Sequence, residues 1–238
     1  MRPKDIDQID EESSALLRRI LERQAYRQRM AANIRGHGIK FFPELDEKLA
    51  FVTELEASLH VLHQVERLYV SLGGEHLTEK VRPRMERIPY PVSRQEQAVC
   101  LGLVGRAERS AARSYLGGIS RDFAEIAREL ASSPSGAVEA EEERFIAFAQ
   151  DAGNRTQALE YWQRWMVVGL RAIGRPGTSG DVRAVELQLR TKSVAEVMGD
   201  FLDDVAPLQS EADLPLPSPE VHGIDVPAEL LERFKVQA

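Results

Sequence analysis

The chain is predicted to be all-α, a bundle of long antiparallel helices with a Pro-rich C-terminal extension. Three observations predict it. Apolar residues recur at helical spacing through most of positions 11–206. Serine capping boxes and Gly or Pro breaks punctuate those runs. No run of alternating β-branched residues occurs, so a sheet is not expected.

Taken in order, residues 1–10 are polar and read as a loose N-terminal arm. Helical spacing then carries Leu16, Leu17, Ile20, Leu21, Ala31 and Ile34 on one side of a helix from Glu11 to about Phe42. A second helix starts near Pro43 and stops at Gly73-Gly74. Pro83, Pro89 and Pro91 make 75–92 a connection without a long helix. Ser93-Arg94-Gln95-Glu96 is a capping box that opens a third helix to about Leu116. After Gly117-Gly118 the helical pattern resumes from Ser120 to about Ala131, and Ser132-Ser133-Pro134-Ser135-Gly136 is a turn. Helices over about 137–151 and 155–173 follow, and 174–180 reads as a loop. Ser193-Val194-Ala195-Glu196 is a second capping box, opening a helix to about Val205. Pro207, Pro215, Pro217 and Pro219 mark an extended tail, with a short helix over Ala228–Phe234. The expected divisions are thus an arm at 1–10, a bundle at 11–206 and a tail at 207–238.

Composition narrows the function. The 238 residues carry 31 Lys+Arg and 38 Asp+Glu, a net charge of −7, which disfavours sequence-independent nucleic-acid binding. Cys100 is the single cysteine, so neither an internal disulfide nor a cysteine-based zinc site can form. Apolar runs are far shorter than the ~20 residues of a membrane span, and Met1-Arg2-Pro3-Lys4-Asp5 lacks a signal-peptide core. A soluble, cytoplasmic protein without membrane or nucleic-acid partners is the expectation.

The second helix carries the chemistry of interest. With Val52 as origin and a step of about 100° per residue, Val70, Leu59, Leu55, Leu62 and Tyr69 define an arc expected to face the core. His63 falls at ~20°, Glu66 at ~320°, Glu56 at ~40° and His60 at ~80°, in or beside that arc. Ionisable groups on a dry face need each other, a basic group, water or a metal. Inward carboxylates and histidines from facing helices are how bundles build di-iron sites, and such donors suit iron or manganese. The alternatives are a structural polar cluster, or a helix rotated so that the acids lie in solvent. Glu66 and Glu56 would supply a carboxylate able to accept a proton. His37, at the end of the first helix, is a further metal candidate, or else a surface histidine. Glu142 is another, although Glu139, Glu141, Glu142 and Glu143 also read as a solvated run at a helix N-terminus. The third helix turns small residues inward, Cys100, Val104, Ala107 and Ala111, with room for a ligand or for close packing. Arg106, Arg109 and Arg113 share its outward face and read as solvated or as a contact for an acidic partner. Trp162 and Trp165 read as core.

The order of several segments resembles the ferritin-like phenylacetic acid catabolic family. The resembling stretches are Ala25-Tyr26-Arg27, Leu68-Tyr69-Val70-Ser71-Leu72-Gly73 and Ser114-Tyr115-Leu116-Gly117. The Trp162/Trp165 helix running into Gly174-Arg175-Pro176, and the last long helix running through Val205-Ala206-Pro207 to Leu214-Pro215-Leu216-Pro217, also fit. Together they span about residues 14–220. The resemblance implies a ferritin-like bundle, and in active members a di-iron site of lone carboxylates and two E-x-x-H motifs that oxidises CoA-linked substrates within an assembly. This chain departs from that pattern. His60-Val61-Leu62-His63 stands where the first motif should be, and His37 where a carboxylate should be. The third-helix carboxylate falls near Gly105 or Glu108, and the second motif has no counterpart.

Two readings follow from the resemblance. The first is an oxygenase-type enzyme with an atypical iron or manganese site built from His37, His60 and His63 with Glu56 or Glu66, acting on a CoA-linked or small organic substrate. The second is a metal-free, non-catalytic structural or partner subunit, associating with itself or with an oxygenase subunit. A third reading, an acyl or aromatic ligand module, rests on the small residues of the third helix.

Overall fold

The computed structural model describes residues 5, 8–85, 89–132 and 136–235, with side chains described outside 136–139 and 235. All regular structure among these residues is helical, so the fold is the all-α helical bundle that the sequence predicts. The helices are α1 (Glu11–Gly38), α2 (Leu45–Ser71), α3 (Leu77–Met85), α4 (Arg94–Arg113), α5 (Arg121–Ser132), α6 (Gly136–Gln150), α7 (Arg155–Ile173), α8 (Ser179–Glu186), α9 (Val194–Ala212), α10 (Pro219–His222) and α11 (Leu231–Lys235). Among the described residues no helix is long and apolar enough to cross a membrane.

The chain forms two compact units, each drawn from separate stretches. The first contains residues 1–91, 112–133 and 182–191. Here α1, α2, α3 and α5 pack together. Asp10 caps α1, accepting from the Ser13 amide at 2.8 Å. The pairs Glu22–Tyr69, Arg29–Glu66 and Arg35–Glu54 run in opposite sense along α1 and α2, which makes the two antiparallel. Their seam is a dry core of Leu17, Leu21, Val65, Tyr69 and, from α5, Phe123. The aliphatic and aromatic area removed from water there is the main stabilising term.

The second unit contains residues 92–111, 134–181 and 192–238. In it α6, α7 and α9 pack on one another. Trp162 and Trp165 are fully buried, as expected. Trp162 Nε1 donates to the Pro215 carbonyl at 2.9 Å, which seats the Pro-rich segment on α7. Cys100 is buried and not in a disulfide, on the same helix as the buried Val104 and Ala107. A Cβ built on Gly169 of α7 would lie 3.6 Å from the Ala107 Cβ and 3.2 Å from Phe201, so the small residues of α4 serve close helix packing. The space beside Ala107 is taken by protein.

Several boundaries differ from expectation. The connection at 75–92 contains the nine-residue α3, with Pro83 inside it, held by burial of Leu77 and Val81. The loop at 174–180 runs into α8. Thr178 accepts from the Asp181 amide, and Asp181 reaches back to the Gly177 amide. This is the first half of a capping box, with aspartate in place of glutamate and the return bond made one residue before Thr178. Helix α9 continues seven residues past Val205 to Ala212, through Pro207, because Leu208 and Ala212 are buried. A tail beginning at 207 therefore starts inside a helix. The expected turn at 132–136 lies mostly outside the described residues, as does most of the N-terminal arm.

Candidate functional site

Helix α2 is rotated by about 90° from the expected orientation. Its buried residues are Phe51, Val61, Leu62, Val65, Leu68 and Tyr69, centred at ~225° on the same wheel. Leu62 and Tyr69 belong to the expected arc, whereas Val52, Leu59 and Val70 are exposed. The physical reason is that α2 is apolar on two sides. The contacts of α1 and α5 select the side bearing Val61, Val65 and Leu68.

That rotation places the candidate ligands. Glu56, His60 and His63 are all exposed on α2, not turned into a dry face. Glu66 is half-buried and accepts from Arg29 Nη2 at 2.8 Å; the same Nη2 donates to Thr78 Oγ1 at 2.5 Å. His37 is half-buried at the end of α1. Its Nε2 donates to the Pro91 carbonyl at 3.1 Å, and its ring lies 4.9 Å from Tyr90 and edge-on to Phe41. No three His, Cys, Asp or Glu side chains among the described residues converge as metal ligands would. The set His37, Glu56, His60, His63, Glu66 and Glu142 is thus not gathered in one place.

Glu142 is buried, which corrects the solvated reading of the acidic run on α6. It takes both Nη atoms of Arg106, the second at 2.8 Å. A Cβ at Gly102 would come within 2.6 Å of Glu142 Oε1, so the missing side chain there lets the carboxylate reach α4. Arg106 also donates from Nε to the Asp204 carbonyl at 3.1 Å, so it belongs to an ion pair and not to a solvated face. The adjacent Glu141 is buried too, held by Arg94 through Nη2 (2.7 Å) and Nε (3.2 Å), with Arg144 at 3.4 Å. Each is a charge-assisted fork of the kind that satisfies a buried carboxylate.

The most enclosed acid reads from the sequence only as a capping residue. Glu96 is fully buried in α4. Its amide donates to Ser93 Oγ at 3.1 Å, the first half of the expected capping box. Its carboxylate reaches back to the Val92 amide (2.8 Å), one residue beyond Ser93. The other oxygen accepts from Arg164 Nη1 (2.5 Å) and Trp165 Nε1 (3.0 Å). The capping-box spacing signals the residue; nothing local signals its partners on α7. By contrast, the Ser193–Glu196 box on α9 closes in both directions, as expected.

The first unit also has an open polar cleft of about 410 Å³ between α1 and the end of α2. Inside it the Tyr69 hydroxyl donates to Glu22 (3.0 Å) and accepts from Lys80 Nζ (2.6 Å). The Tyr69 hydrogen bond, reinforced by Glu22, raises the Lys80 pKa. Nearby, burial and the charges of Arg27, Arg190 and Arg84 lower the pKa of Arg23, with Tyr115 opposing. No family model matches this chain, and no curated protein matches it.

Proposed function

We propose that the chain is a metal-free, non-catalytic helical subunit, comparable to the partner subunits of the phenylacetic acid catabolic family that it resembles. One observation carries this reading: the buried carboxylates that a bundle metal site would draw on are committed to arginines. Glu141 and Glu142 each sit in an arginine fork, and Glu96 lies between Arg164 and Trp165. A carboxylate saturated by charge-assisted hydrogen bonds has few lone pairs left for a cation. The histidines of α2 meanwhile share an exposed face. What such a protein offers is a rigid frame and its outer surfaces.

The test is elemental analysis of the full chain, as isolated and after anaerobic loading with iron(II) or manganese(II) and removal of loose metal. This reading predicts no stoichiometric retention. Retention of about one or two ions per chain, lost in His63→Ala, would overturn it in favour of an oxygenase-type site on α2.

A further inference from the structure

Helix α2 has a second apolar stripe, left exposed among the described residues. Leu45, Leu49, Val52, Leu59 and Val70 are between 43% and 68% exposed. With Glu56, His63 and Glu66 they repeat in steps of four and three residues over the whole helix, the a/d pattern of a two-helix seam. Five apolar side chains aligned on one 27-residue helix are more than scattered surface hydrophobes.

We infer that this stripe is the docking surface for α2 of a second copy of the chain, packed antiparallel. This extends the partner-subunit reading by naming its surface. The charges select both occupant and direction. A parallel pair would set Glu56 against Glu56 and Glu66 against Glu66. In the antiparallel register centred between residues 57 and 58, Glu56 lies opposite Leu59 of the second copy, and His63 opposite its Val52. On the outer flank the exposed residues are Asp46, Thr53, His60 and Arg67. The other flank, Leu55, Leu62 and Tyr69, packs inward in its own chain. Reversal brings Asp46 of each copy beside Arg67 of the other, and Thr53 beside His60. The acidic first turn of each α2 then meets Arg67 of the other, twice, by symmetry. Glu66 is already neutralised by Arg29 within its own chain, so the seam carries one fewer naked charge.

Sedimentation equilibrium of the full chain tests this. A concentration-dependent dimer with a Kd of about micromolar is expected. Val52→Glu with Leu59→Glu should weaken it by about 100-fold. Helical circular dichroism should be unchanged, because both positions are exposed in the single chain. Asp46→Arg alone and Arg67→Asp alone should each weaken the dimer by about 10-fold, and the combined swap should restore it. A species of one chain mass at every concentration would overturn the inference. So would a dimer indifferent to Val52→Glu/Leu59→Glu, or a combined swap weaker than either single change. The readouts separate the two proposals: a dimer that retains iron overturns only the metal-free reading, and a metal-free monomer overturns only the seam.

Discussion

The glutamates of α2 and those of α6 exchange the roles that their sequences indicate. Glu56 and Glu66 lie among apolar residues and read as inward. In the structure Glu56 is exposed and Glu66 is half-buried on Arg29. Glu141 and Glu142 belong to an acidic run and read as solvated, yet both are buried on arginines of α4. The difference teaches that the burial of an acid is decided by what a neighbouring helix brings to it. Arginines at 94 and 106 make the inner face of α6 hospitable to carboxylates. The inner face of α2 meets mostly aliphatic and aromatic side chains; the one acid turned toward it, Glu54, is met by Arg35 of α1, and Glu56, with no such partner, stays outside.

Breaking the buried acids should produce the largest effects. Glu96→Ala leaves Arg164, the Trp165 indole N–H and the Val92 amide without their shared acceptor. It should cost about 3 kcal/mol in urea denaturation. Next, Glu142→Ala should cost about 2 kcal/mol by leaving the half-enclosed Arg106 guanidinium without its carboxylate, with only backbone carbonyls to receive it. The double change Arg106→Met/Glu142→Leu should recover most of that loss, since an apolar pair of similar volume needs no desolvated charges. A double-mutant cycle that came out additive would show that the two do not act as a pair. Gly102→Ala probes the same contact from the backbone side. Its methyl group would meet Glu142 Oε1, and a loss of about 1 kcal/mol is expected, absent when Glu142→Ala is already in place.

The outward acids define the small end of the comparison. Glu56→Ala and His60→Ala should each change stability by no more than about 0.5 kcal/mol. A larger loss would mean that α2 packs with those residues inward after all. The surface fork of Glu12 with Arg183 gives the acid limb. The Arg183 hydrogen bonds hold the Glu12 pKa below its ordinary value of 4.5. Its contribution is therefore present at neutral pH and is lost as the pH falls below 4.5 and through the folded value. Glu12→Gln should flatten that part of the pH–stability curve by slightly lowering stability at neutral pH and leaving the acid end unchanged.

Some of the architecture can be read directly from the chain. The serine boxes at 93 and 193 mark helix starts correctly, and Gly73-Gly74 and Gly117-Gly118 mark ends. Helix α7 begins at Arg155 and ends at Ile173, as expected, because the Gly153-Asn154 break and a glycine stop bracket an uninterrupted apolar pattern. These signals are local: a cap or a glycine acts within one turn. Helices α3 and α8 escape the sequence reading because prolines and glycines outweigh short apolar faces and an aspartate cap. The continuation of α9 past Pro207 escapes it for a related reason, since propensity yields where tertiary contacts bury the following turn.

The candidate site is legible only as a set of residue types. The sequence by itself determined that the chain is helical, where most helices start and stop, and that α2 carries more apolar surface than one face can bury. Only the tertiary structure decided which of its two stripes enters the core and which acids receive arginine partners. Helical periodicity is a property of one segment and fixes spacing without fixing rotation. Rotation about a helix axis is set by the helices packed against it, and the arginines that hold Glu96, Glu141 and Glu142 come from other segments of the chain, between 36 and 68 residues away.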